Sequence, residues 1–160
     1  MPQHDTEIRN LRADDYDRVL RYFAALGPES RTTFAPHPFD EAHARRMCDT
    51  SDGVRNVRLV AVEAGEIVGY CYFESRDPEY PTVGLGIADH AQNRGLGRRL
   101  MSALVAEARR LGKPGLDLTV WKTNLRAQRV YARAGYRVTG ETPNQVEFTM
   151  RLDFDGPVDV

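Results

Sequence analysis

Gln92-Asn93-Arg94-Gly95-Leu96-Gly97 joins a strand-like run, Val83 to Ala88, to a helical stripe of Leu96, Leu100, Leu104, Ala108 and Leu111. The glycines at 95 and 97 let the chain turn tightly. The first turn of the helix then presents unbonded N–H groups and the positive end of its dipole, which suits a phosphate. Arg94, Arg98 and Arg99 add positive charge. A P-loop needs Gly-Lys-Ser/Thr, whereas Gly97 is followed by Arg98-Arg99. A dinucleotide fingerprint needs a third glycine, and Leu100 stands in that place. Gly84-Leu85-Gly86 fails likewise at Asp89.

Working outward, the charge is unevenly placed. Residues 92–137 carry +9, between flanks of −6 (1–91) and −4 (138–160), in a chain of net charge −1. A basic segment of this kind either solvates helix faces or attracts an anion. A nucleic-acid footprint would need a broader basic surface with aromatic platforms, and the pattern has neither. At 160 residues, with 41% hydrophobic and 28% charged, the chain reads as one globular domain over 1–160, with flexible tails at 1–5 and 155–160. Ile67 to Phe73 is too short an apolar run to cross a bilayer. No signal peptide is visible, and Cys48 and Cys71 form no CxxC pair, so a cytoplasmic protein is expected. His37 and His43 have no metal-ligand pattern around them, and His4 is in a tail.

The remaining elements follow from periodicity. Thr6 to Arg12 is a short strand, and Asp14 caps a helix carrying Tyr16, Val19, Leu20, Phe23 and Leu26. Gly27-Pro28 stops that helix, residues 28–39 form a proline-rich loop, and Asp40 caps a helix to Cys48. Val57 to Val62 and Ile67 to Glu74 are strands around a turn at Glu63-Ala64-Gly65-Glu66. Leu116 to Trp121 is a strand, Asn124 opens a helix that Gly135 closes, and strands cover 136–141 and 146–154. Val83 to Val120 is a strand–helix–strand unit, hence a parallel pair with a right-handed crossover. The expectation is a mixed α/β (α+β) domain: a mostly antiparallel, twisted sheet of about seven strands with one parallel pair, and four helices.

Gln92-x-x-Gly95-x-Gly97 after a strand ending at Ile87 resembles the acyl-CoA-binding motif of the GCN5-related N-acetyltransferases. Trp121-Lys122-Thr123-Asn124-x-Arg126-Ala127-x-x-x-Tyr131-x-x-x-Gly135-Tyr136 is similar to that family's second cofactor segment. The resemblance covers residues 57–141. Leu26-Gly27-Pro28-Glu29-Ser30-Arg31 is similar to bacterial protein-acetylating members.

The resemblance implies acetyl-CoA as co-substrate, no metal, and an N-acyltransferase fold in which the parallel strands at 83–88 and 116–121 form a splayed pair with the pantetheine arm in the gap. It places the diphosphate on the turn, with Gln92, Asn93, Arg94, Gly95, Leu96, Gly97 and Arg98 in contact and the amides of Asn93 through Arg98 as donors. It places the pantetheine arm along Leu85, Gly86 and Ile87, with Gly84 and Gly86 leaving room beside it. An amide near Ile87 would hold the oxyanion, Asn124 would touch the cofactor or cap its helix, and Tyr131 would be the acid for the thiolate. An acceptor amine resembling lysine, with a pKa of roughly 10.4, must first lose a proton. No single base is assigned among Glu74, Asp89, His90, Glu147 or a water chain. The implied acceptor is a small-molecule or peptide amine, roofed by residues 27–49, with no nucleic acid and no membrane. Pairing of copies into a homodimer through an edge strand at 146–154 stays open. So do two alternatives: a non-catalytic acyl-CoA-sensing module, and a phosphate-ligand protein unrelated to coenzyme A.

Overall fold

The computed structural model describes residues 5–33, 38–74 and 79–154. The strands are β1 (Glu7–Asn10), β2 (Asn56–Glu63), β3 (Glu66–Glu74), β4 (Val83–Ile87), β5 (Gly115–Trp121), β6 (Arg137–Glu141) and β7 (Glu147–Asp153). The helices are α1 (Tyr16–Ala24), α2 (Pro28–Thr33), α3 (Glu41–Thr50), α4 (Leu96–Arg110) and α5 (Leu125–Arg133). The four helices expected are joined by α2, which begins the segment read as loop. Pro28 stands first in it, where a missing N–H breaks no helical bond. Most of the two tails, His4 and His37 lie outside the described residues.

The strands form two antiparallel sheets, ordered β1-β2-β3-β4 and β5-β7-β6. The expected parallel pair, β4 with β5, meets at one end only. Thr82 bridges Asp117 in parallel, and the Asp117 N–H donates to the Pro81 carbonyl at 2.9 Å. Above that point, among the described residues, no ladder continues between the two strands, and they splay. The reading of 146–154 as an edge strand is corrected: β7 lies between β5 and β6, with both of its sides bonded. The exposed edge of this half is β6, because the last strand folds back between its predecessors.

Strand alternation splits the core into two layers. Leu59, Cys71 and Phe73 face α4, against Leu100, Met101 and Leu104. Val60 and Tyr70 face the other way, against Val19, Phe23 and Met47 of α1 and α3. Helices on both faces explain why the middle strands read as continuous apolar runs.

Asp14 is not the cap of the first helix. Asp15, fully buried, takes a two-pronged bond from Arg9 at 2.7 and 2.8 Å and the Arg12 N–H at 2.8 Å, pinning β1 to α1. Burial alone would push its carboxyl up. The bonds from Arg9 and Arg12 and the charges of Arg9 and Arg18 outweigh burial and hold it below the ordinary range. A lowered folded-state pKa means that its stabilisation is present at neutral pH and is lost as pH falls below about 4. Asp15→Asn, which leaves Arg9 without its charge partner, is expected to lower stability at pH 7 by about 3 kcal/mol in urea unfolding. The deficit should shrink as both proteins are acidified. An unchanged urea midpoint would contradict this account.

Candidate active site

The splay leaves a cleft of about 910 Å³ between the two halves. One wall is β4, and its bonding phase is set by the Ala88 N–H donating to the Val68 carbonyl. With Gly86 opposite Tyr70 and Gly84 opposite Tyr72, the even-numbered residues bond to β3. Leu85 and Ile87 therefore turn their N–H and C=O groups into the cleft. The N–H and C=O of Leu85 and the N–H of Ile87 make no hydrogen bond among the described residues, while the Ile87 carbonyl is held by Gln92. The far wall includes Thr119, Val120 and Trp121 of β5 and Val130 and Tyr131 of α5.

At the mouth of the cleft the chain turns into α4. Gly95 has φ +79°, a left-handed conformation that disfavours side chains, and it serves as the helix N-cap. The main-chain N–H groups of Asn93 through Arg98 make no hydrogen bond among the described residues. The first helical bond outside α4 itself is Arg99 N–H to the Gly95 carbonyl, at 3.1 Å. Six successive free donors at the start of a fifteen-residue helix form an anion cradle. A Cβ at Gly97 would have Leu85 Cδ2 as its nearest neighbour at 3.6 Å, so the protein itself leaves this position open.

The side chains of the turn divide differently from the sequence reading. Arg94 leans away and pairs with Glu63 at 2.7 Å, so its charge anchors the loop to β2, while its amide belongs to the cradle. Arg99 reaches the Thr6 carbonyl. Arg98 lines the cleft with no ion pair or hydrogen bond among the described residues. Gln92 contributes as a brace: its Nε2 donates to the Ile87 carbonyl at 3.2 Å and to Ser30 Oγ at 3.3 Å. Its Oε1 accepts from Arg126 Nη2 at 2.6 Å, and Arg126 Nη1 also reaches Asn93 Oδ1 at 3.3 Å. Arg126 on α5 thus ties the two halves together at the cleft mouth. Sequence reasoning placed Arg126 in a motif but gave it no role, because its partners lie more than thirty residues upstream.

Asn124 caps α5, its Oδ1 accepting from the Ala127 N–H at 3.2 Å, and it also lines the cleft. Tyr131 follows on the same helix, 8% exposed, its ring 5.8 Å from that of Tyr136. Its hydroxyl makes no hydrogen bond among the described residues. Burial, with a smaller contribution from Cys71, pushes the phenol up to about 12, so it remains a neutral donor at working pH.

One glycine is reassigned. A Cβ at Gly84 would stand 2.1 Å from Tyr72 Cε1, so Gly84 makes room for that ring rather than for the arm. Among the base candidates, Asp89 accepts from Ser30 Oγ at 2.5 Å. That bond, with the Gly27 N–H, keeps its carboxyl low against a smaller effect of burial, which makes it a poor base. Of the four residues considered, Glu147 lines the cleft. Among the described residues, no group of three or more His, Cys, Asp or Glu could hold a metal ion. No described helix is long and apolar enough to cross a membrane.

The acetyltransferase (GNAT) family model matches residues 17–136. The chain is 26% identical over 138 residues to the L-amino acid N-acetyltransferase AaaT of Escherichia coli K12, covering 83% of each. Its fold is similar to the GNAT domain of S. lividans PAT, with TM-score 0.84 and 21% identity over 92% of this chain and 90% of that one. It is also similar to the PaiA N-acetyltransferase of Thermoplasma acidophilum, solved in complex with coenzyme A. There the TM-score is 0.79 and the identity 13%, over 94% of this chain and 99% of that one.

Proposed function

The chain belongs to the acetyltransferase (GNAT) family, and from that premise we propose that it moves an acetyl group from acetyl-CoA to a primary amine by direct attack. Membership makes it an acyltransferase. The donor, the amine and the residue roles rest on the site. The observation that carries them is the run of free N–H groups, Asn93 to Arg98, at the mouth of a cleft walled by the open edge of β4.

The cradle amides and Arg98 hold the diphosphate, where helix dipole and charge act together. The edges of Leu85 and Ile87 hold the arm. The amine nitrogen, having lost its proton to water, attacks the thioester carbonyl: a C–N bond forms and the carbonyl pair moves onto oxygen. The outward N–H of Leu85, further down the same edge than Ile87, faces that oxygen and stabilises its developing charge. The nitrogen, positively charged after attack, gives its extra proton to water; as the pair returns, the C–S bond breaks and Tyr131 donates its O–H to the departing sulfur, recovering its proton from solvent. A phenol near 12 is a weaker acid than a thiol, so the hydrogen bond formed during cleavage does most of the work.

Amines of the amino-acid type are the first acceptors to try, given the L-amino acid specificity in the name of the Escherichia coli relative. Acetyl-CoA at a hundred times its Kd is expected to stabilise the protein by about 2.7 kcal/mol. For a chain of this size that is roughly 5–10 °C in Tm. ATP at the same concentration should give little. Equal shifts from ATP and acetyl-CoA would refute the assignment, as would no thiol release across amino acids, polyamines, amino sugars and lysine peptides.

A further inference from the structure

The cleft is lined from both faces of the sheet, with Tyr131 on the α4 side and a second phenol, Tyr72, on the other. Tyr131 packs in the layer that faces α4. Tyr72 projects from β3 into the opposite layer, beside Tyr70, and it too lines the cleft. Its ring stacks on Tyr70 at 5.3 Å and 17°. It lies flat over Gly84, so that a Cβ there would be 2.8 Å from the hydroxyl oxygen. None of the hydrogen bonds among the described residues uses that hydroxyl. Its neighbour Tyr22 is different, because its hydroxyl donates to the Gly86 carbonyl at 2.8 Å.

Position along β4 gives this free hydroxyl a meaning. The cradle follows the upper end of the strand, and the cleft closes at the Thr82–Asp117 bridge. An arm entering at the cradle runs down from Ile87, and Gly84 lies about 10 Å along that path. The arm's reactive tip therefore arrives beside Gly84. On the α4 face the cleft is lined by Met101, Val105 and Tyr131, and on the opposite face by Leu26 and Tyr72, the side from which the amine would meet the tip. Resting on the transferase reading above, we propose that Tyr72 is an acceptor-orienting residue: its hydroxyl oxygen accepts an N–H of the incoming amine and aims the nitrogen at the thioester carbon.

Burial pushes this phenol up to about 12 as well, so it stays neutral and carries no charge to repel or trap the amine. Stacking on Tyr70 holds it in place at little entropic cost on binding.

Tyr72→Phe keeps the ring and the stack and deletes only the oxygen. Kinetics would be measured with the best acceptor from a panel of L-amino acids, polyamines and lysine peptides, and the acetyl-CoA Kd by calorimetry. The expected result is an acceptor KM raised about tenfold. The acetyl-CoA Kd and the Tm should stay within experimental scatter of the wild type. A parallel rise in the acetyl-CoA Kd would put Tyr72 on the arm instead and overturn the proposal, as would an unchanged acceptor KM. A wild type that binds acetyl-CoA and acetylates nothing in the panel would bring down the transferase reading, and this one with it.

Discussion

Tyr131→Phe is expected to lower kcat about a hundredfold, with the acetyl-CoA Kd and the Tm nearly unchanged. The hydroxyl makes no hydrogen bond among the described residues, so its removal leaves no orphaned partner. The ring contact with Tyr136, 5.8 Å between centroids, survives in phenylalanine. A purely structural tyrosine at 8% exposure would show the reverse pattern, a lower Tm with turnover retained. The pH profile is a second check. With the phenol pushed up to about 12, its loss of the proton cannot produce a falling limb below about pH 11. A basic limb near pH 8 that vanished in Tyr131→Phe would contradict the assignment, as would a variant turning over at the wild-type rate.

Gly97→Asp should separate ligand binding from folding still more sharply. The position accepts a Cβ, whose nearest neighbour would be Leu85 Cδ2 at 3.6 Å, so the backbone has no reason to move. An acid in the first turn of α4 favours the helix dipole by about 0.3–1 kcal/mol. The same carboxylate would occupy the cradle and repel a diphosphate. The acetyl-CoA Kd is expected to rise at least a hundredfold, about 2.7 kcal/mol, while the Tm holds or increases. If this variant bound acetyl-CoA as the wild type does, the run of amides from Asn93 to Arg98 would not be the diphosphate site. Arg98→Ala, which removes one exposed charge and leaves the amides, should weaken binding far less.

The features that were legible in the sequence are those written in short-range patterns. The turn at 92–97 depends on a positive φ at Gly95 and on the stripe that begins at Leu96, both visible in a few residues. Asn124 and Tyr131 lie on one helix, so their spacing alone brings both to the cleft. The roles that changed depend on partners far away in the chain. Arg94 looked like a phosphate ligand until Glu63 took its charge. Gln92 looked like a cofactor contact, and it braces the loop between Ile87, Ser30 and Arg126. Gly84 looked like space for the arm, and it is space for Tyr72.

Taken alone, the sequence determined the order of elements apart from α2, the glycine-capped start of α4 and the tyrosine on the following helix, because backbone sterics and hydrophobic periodicity act over a few residues. Tertiary structure alone decided which strand lies at an edge, where β4 and β5 part, and which side chains meet across the gap. Those outcomes depend on strand register and sheet order, and a strand's own alternation carries no information about the neighbour it will choose.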